Sequence, residues 1–160
     1  MRVSCLLLPA LLFSGCSNAL VLGGGGTVAR HDAQTFILET LRKQEGETWE
    51  RLGQFMLWSY GFDRSGCLLT VQREAELGDL FQQRIPLAAT DGMSMQGSEI
   101  VFACRDGVAC IDYSVKNRNQ TDEQRVARTR LLVMDAHDIN PLLNAFAELH
   151  QLCRDPYAPR

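Results

Sequence analysis

Met56-Leu57-Trp58-Ser59-Tyr60-Gly61-Phe62, then Asp63-Arg64-Ser65-Gly66, then Cys67-Leu68-Leu69-Thr70-Val71-Gln72-Arg73, reads as a β-hairpin. Met56, Trp58, Tyr60 and Phe62 lie two apart, with Phe55 and Leu57 on the opposite face. That period of two predicts a strand, apolar on both sides. Asp63 to Gly66 carries turn chemistry, and the run from Cys67 returns.

Downstream, Phe81, Gln83, Ile85 and Leu87 share one face of a third strand. Pro86 removes a backbone donor, so this strand lies at an edge or ends there. Asp91-Gly92 and Gly97-Ser98 bracket a predicted loop. Ile100, Phe102 and Cys104 alternate with Val101 and Ala103 in a fourth strand. Arg105-Asp106-Gly107 turns the chain, so that Ala109 to Tyr113 returns as the second arm of a hairpin. Lys116 to Gln124 is polar and reads as an exposed loop, and Arg130 to Met134 as a sixth strand.

Helices flank these strands. Asp32 can cap a helix over Ala33 to Glu45, in which Ala33, Phe36, Ile37 and Leu41 recur at helical spacing and Gly46 supplies the stop. At the other end, Asp138 or Asn140 caps a helix whose first turn tolerates Pro141. Leu142, Phe146, Leu149 and Cys153 form one apolar stripe, and Asp155-Pro156 ends it. Helix, about six strands joined by short turns, helix: the expectation is an α+β domain with a mostly antiparallel sheet. It would span residues 31–155 as one unit, with a tail at 156–160. This order resembles the pleckstrin-homology-like architecture, an analogy of element order alone, which implies no function.

The N-terminus carries an address. Arg2 precedes an apolar run from Cys5 to Phe13, and Ser14-Gly15-Cys16 follows. Charge, apolar run and small residues before a cysteine resemble a bacterial lipoprotein signal, with Phe13 where Leu is usual. The resemblance implies removal of residues 1–15 and acylation of Cys16. Ser17, where Asp would mean inner-membrane retention, implies an outer-membrane destination. Acyl chains on Cys16 would anchor the protein firmly. A plain secretory signal cut near Ser17-Asn18-Ala19, or an uncleaved anchor, are the competing readings, although the run falls short of the ~20 residues that span a bilayer. Residues 16–30, with Gly23-Gly24-Gly25-Gly26, read as a flexible tether. No Gly-Lys-Ser/Thr follows to make those glycines a phosphate loop.

Bulk composition narrows the classes. With 46% hydrophobic and 22% charged residues, the chain is ordinary for a globular protein. Its net charge of −3, with scattered basic residues, gives no nucleic-acid footprint. Of six cysteines, Cys5 would leave with the signal and Cys16 would carry lipid, leaving four in an exported, oxidising setting. Four cysteines allow three connectivities. Cys104 and Cys110 flank the predicted hairpin turn and can come within disulfide range. The remaining pair, Cys67 and Cys153, would staple the C-terminal helix to the sheet. A zinc site is the alternative, but the gap between Cys104 and Cys110 fits its usual spacing poorly.

Chemistry-bearing motifs are few. His31, His137 and His150 have no metal-ligand spacing and read as surface or capping residues. Gly92-Met93-Ser94-Met95-Gln96 misses the nucleophile elbow at its last position. Met93 and Met95, with Met56 or Met134, could supply soft metal ligands but read as packing or loop residues. Glu74 and Glu76 read as a solvated strand end. Trp49, Trp58, Tyr60 and Phe62 read as core beneath the helices rather than as a glycan-binding face. No catalytic residue, metal or cofactor is therefore nominated. The expectation is a non-enzymatic, outer-membrane-anchored periplasmic lipoprotein that binds another envelope component as an accessory or assembly factor. The alternative is a periplasmic inhibitor or immunity lipoprotein. Loops on rigid scaffolds carry function, so Arg105 and Asp106, in the Arg105–Ala109 turn, are the nominated partner-binding residues, with the Asp91–Ser98 loop beside them.

Overall fold

The structure is a computed structural model that describes residues 25–51 and 54–154. Those residues form helix α1 (Gly25–Arg42), strands β1 (Thr48–Arg51), β2 (Gln54–Phe62), β3 (Leu68–Ala75), β4 (Leu80–Pro86), β5 (Thr90–Gln96), β6 (Glu99–Cys104), β7 (Ile111–Lys116), β8 (Thr121–Val126) and β9 (Arg128–Leu132), and helix α2 (Ala136–Arg154). The strands make two sheets, ordered β1-β2-β3-β4-β7-β8 and β5-β6-β9. Every pairing is antiparallel. The expected α+β class, with an N-terminal and a C-terminal helix on an antiparallel sheet, is what the chain adopts.

The chain passes between the sheets three times: through a short 3-10 turn at Leu87–Ala89 from β4 to β5, through residues 105–110 from β6 to β7, and through Ala127 from β8 to β9. Strands that switch sheets in this way make the corners of a two-sheet core. Tyr60, Leu69, Val71, Ile85 and Ile111 from the larger sheet, and Ile100, Phe102 and Leu131 from the smaller, share one buried cluster with the helices. Helix α2 presents Leu142, Phe146 and Leu149 of the predicted stripe to it, joined by Ile139, while Cys153, the last residue of that stripe, is partly buried against the cluster. Phe146 meets Phe102 edge-on with ring centroids 5.2 Å apart, the arrangement the ring quadrupoles favour.

The helices run antiparallel. Arg30 Nη2, in the first half of α1, donates to the Leu152 carbonyl near the end of α2 at 2.7 Å. Lys43 Nζ, just past the end of α1, meets Asp138 Oδ1 in the first turn of α2 at 2.9 Å. Beyond α1, Gln44 is buried. Its amide nitrogen donates to the Tyr60 hydroxyl and to the Leu132 carbonyl, and its oxygen accepts from the Met134 N–H. One side chain thus ties the end of α1 to both sheets.

Several expectations change. Helix α1 starts at Gly25, not at an Asp32 cap, so Gly25 to Arg30 belong to the helix and not to a tether; residues 16–24 lie outside the described residues. Contact with α2, through Arg30, overrides the poor helix propensity of glycine there. Helix α2 starts at Ala136, where Asp135 Oδ1 accepts the His137 N–H, so Asp135 caps it rather than Asp138 or Asn140. The Asp91–Ser98 loop is largely strand β5, and much of the Lys116–Gln124 loop is strand β8. Strand β4 is interior, between β3 and β7, and ends at Pro86. Strand β2 buries only one face: Met56, Trp58 and Tyr60 are in the core, while Phe55 and Leu57 are 48% and 44% exposed. Tyr60 and Trp58 thus keep the predicted core role.

Both disulfides form as paired from the sequence. Cys67 joins Cys153 and Cys104 joins Cys110, with Cα atoms 5.6 and 5.8 Å apart. The first fixes α2 to the β2–β3 turn. There Asp63 Oδ1 accepts the Cys67 and Leu68 N–H groups at 3.2 and 3.1 Å, and Ser65 Oγ donates to the same carboxylate. Desolvation at the turn is the largest single influence on the Asp63 carboxyl and raises its pKa, but these hydrogen bonds together outweigh it and hold the group below its ordinary value. Gly66, at φ +71°, closes this turn, and a Cβ there would collide with the Gln34 side chain of α1.

Candidate functional site

The nominated residues lie in the link from β6 to β7, and the structure changes its meaning. Strands β6 and β7 belong to different sheets, so Cys104 and Cys110 do not close a hairpin. Their bond ties the smaller sheet to the larger one across a corner. Between them, Arg105–Gly107 forms a 3-10 turn. Asp106 and Gly107 take φ of 56° and 69°, a left-handed conformation that Asp and Gly tolerate best.

Three further contacts hold this loop. The Val108 N–H donates to the Arg105 carbonyl at 3.1 Å, the Cys110 N–H reaches Cys104 Sγ at 3.1 Å, and Arg105 Nη2 donates to the Ala88 carbonyl at 3.2 Å. The guanidinium of Arg105 therefore bonds the strand corner beside it. Arg105 through Ala109 are all exposed, and Val108 is 66% exposed. The result is a five-residue exposed segment with a cation, an anion and an apolar tip, fixed at both ends. Its chemistry suits recognition: its conformation is set before any partner arrives, which lowers the ordering cost of binding.

The second nominated segment behaves differently. As strand β5 it pairs with β6, and only Met95, at 52%, is a large exposed apolar side chain on it. Met93 packs against the core. Ser94 lies in this strand and not on a strand-to-helix turn, so the nucleophile-elbow setting is absent. Among the described residues no group of three or more His, Cys, Asp or Glu could hold a metal ion. His150 departs from its surface reading: it is buried, and its Nε2 lies 2.9 Å from the Thr90 carbonyl. That contact links α2 to the start of β5. The cysteine nominated for acylation, Cys16, lies outside the described residues. Among those residues no helix is long and apolar enough to cross a membrane.

Among the described residues, two of the surface concavities that escaped the sequence reading lie on the larger sheet. One lies on the outer face of β4, β7 and β8, about 490 Å³, lined by Gln82, Arg84, Asp112, Ser114, Glu123 and Arg125 among others. Arg125 Nε and Asp112 Oδ1 pair across it at 3.0 Å. The other, about 330 Å³, lies at the far end of the β2–β3 pair between Phe55, Leu57, Glu74, Ala75 and Glu76. Its signal was present in the sequence as alternating Phe55 and Leu57 beside Glu74 and Glu76. Alternation alone does not say which face of a strand is covered. The chain matches no protein-family model, and no curated protein and no solved structure proved significantly similar to it.

Proposed function

We propose that this chain is a non-enzymatic, lipid-anchored protein of a bacterial outer membrane, facing the periplasm, that holds another envelope protein as an accessory or assembly factor. The observation that carries the reading is the loop Arg105–Ala109, exposed throughout yet fixed by the Cys104–Cys110 bridge. Side chains held in place before binding avoid about 0.5–1.5 kcal/mol of ordering cost apiece. The resemblance of Ser14-Gly15-Cys16 to a lipoprotein signal supports the anchor. The same fixed loop also supports a second reading, an inhibitor or immunity protein whose rigid segment blocks a toxin or hydrolase.

One experiment addresses anchor and loop together. The full chain is expressed in a Gram-negative host with a photo-crosslinking residue at Val108, beside a Cys16→Ser version. The expected result is a membrane-bound protein with one dominant crosslinked envelope partner. Membranes should lose the protein in the Cys16→Ser form, and Arg105→Glu with Asp106→Lys should abolish the crosslink. A Cys16→Ser protein that still pellets with membranes refutes the lipid anchor. A crosslink indifferent to the charge reversal refutes the loop. A partner that is itself a toxin or hydrolase, inhibited on capture, selects the second reading.

A further inference from the structure

At the opposite end of β4 from the loop, the outer face of the larger sheet carries an apolar corner with a charged border. Phe55 and Leu57 are 48% and 44% exposed, and Leu77, in the adjoining β3–β4 turn, is 76% exposed. Single exposed apolar side chains are ordinary on a protein surface, whereas a group of them around a concavity marks contact with another molecule. Glu74 and Glu76 line the same 330 Å³ concavity and are exposed. Neither forms an ion pair among the described residues.

The charges choose the occupant. A second copy docking on a two-fold axis through this concavity would bring Glu74 and Glu76 close to their own equivalents, because such an interface sets the same patch against itself. An anionic lipid surface would meet the same repulsion. A cationic group on an apolar segment satisfies both features. The sheet register gives an order as well. Leu57, Glu74, Leu80 and Lys116 sit opposite one another on four successive strands, β2, β3, β4 and β7. Glu74 also lines a neighbouring groove of about 380 Å³ with Leu80, Lys116 and Arg118. The path from Leu57 to Lys116 crosses three strand spacings, about 14 Å, which an extended segment covers in about five residues.

We propose that this corner binds an extended segment of another protein in which an apolar residue is followed by a Lys or Arg and then, about two residues later, by an Asp or Glu. The apolar side chain rests on Phe55 and Leu57, the cation meets Glu74 and Glu76, and the carboxylate meets Lys116 and Arg118. The segment lies across the strands on the open face, leaving the sheet edges unpaired.

The test uses two pentapeptide probes of identical composition and net charge, Leu-Leu-Lys-Gly-Glu and Leu-Leu-Glu-Gly-Lys, titrated into the isotope-labelled chain and followed by NMR. The first should bind at least about tenfold more tightly than the second, with shifts centred on Leu57, Glu74 and Leu80. Glu74→Lys combined with Lys116→Glu should invert the preference, and Leu57→Ser should weaken both probes. Equal affinity for the two peptides, binding by neither, or an unchanged preference in the swapped variant overturns the proposal. So does a dimer in sedimentation that Leu57→Ser dissociates. The loop is untouched by these variants, so its crosslink reports separately.

Discussion

At Tyr60 one hydroxyl shows how the core handles a polar group. The ring is buried against Trp58, 6.4 Å between centroids, and the hydroxyl accepts from the Gln44 amide. Burial is the largest influence and raises its pKa from 10.0 to about 12; the Gln44 hydrogen bond and the Arg73 charge oppose that rise, and the Glu45 charge adds to it. Below pH 10 both folded and unfolded chains keep the proton, so the full stability is present. Between pH 10 and 12 the unfolded chain releases it and the native chain does not, so stability falls as pH rises. The loss should reach roughly 2–3 kcal/mol by pH 12, from two units at 1.36 kcal/mol each. Urea unfolding in steps from pH 9 to 11.5 measures it. Tyr60→Phe should cost about 1 kcal/mol at neutral pH for the lost hydrogen bond and should lose less stability across the alkaline range. Parallel alkaline curves for the two proteins would show that Tyr60 is not the group responsible.

Among the elements, the disulfides differ most in what they close. The Cys67–Cys153 bond spans 86 residues and the Cys104–Cys110 bond 6. Loop-closure entropy makes the first worth roughly 4–5 kcal/mol and the second about 2. Replacing Cys67 and Cys153 together by Ala should therefore lower the unfolding free energy by about twice the loss from replacing Cys104 and Cys110, as denaturant titration would read. A larger loss from the short bridge would mean that its link between sheets matters more than chain entropy. Cysteine positions and the α2 stripe were legible because Leu142, Phe146, Leu149 and Cys153 repeat at helical spacing toward one core. The β2–β3 hairpin was legible for the same reason at period two. Strand β8 was not: Thr121-Asp122-Glu123-Gln124-Arg125 is exposed at every residue, so no hydrophobic alternation marks it. Strand β5 hid behind Asp91-Gly92, where a register shift against β6 absorbs the turn-forming residues. Of the loop site, the turn residues were legible but the change of sheet was not, because close spacing of Cys104 and Cys110 in sequence suits a hairpin and a corner equally.

Across the whole molecule, burial is unequal, and local stability should follow it. Strand β6 is paired on both sides, by β5 and β9, and its Ile100 and Phe102 are fully buried, with Phe102 against α2. Strand β8 is paired only with β7, at the edge of the larger sheet, and five of its six residues are exposed. Amides open with free energies running from near zero at weakly held edges to the global value in the core. Native-state hydrogen exchange should therefore find the amides of Ile100 to Phe102 slowest, released only by global unfolding, and those of Thr121 to Val126 among the fastest within the strands. The disulfide gives this a quantitative check. The Cys67–Cys153 bond acts on the global equilibrium, so its removal should lower the exchange free energy of the β6 amides by the same roughly 4–5 kcal/mol lost in denaturant. The β8 amides, which open without unfolding α2, should hardly change. Equal protection of β8 and β6 would mean that the two sheets open as one unit, and that the corner fixed by Cys104–Cys110 couples them more tightly than their pairing alone can explain.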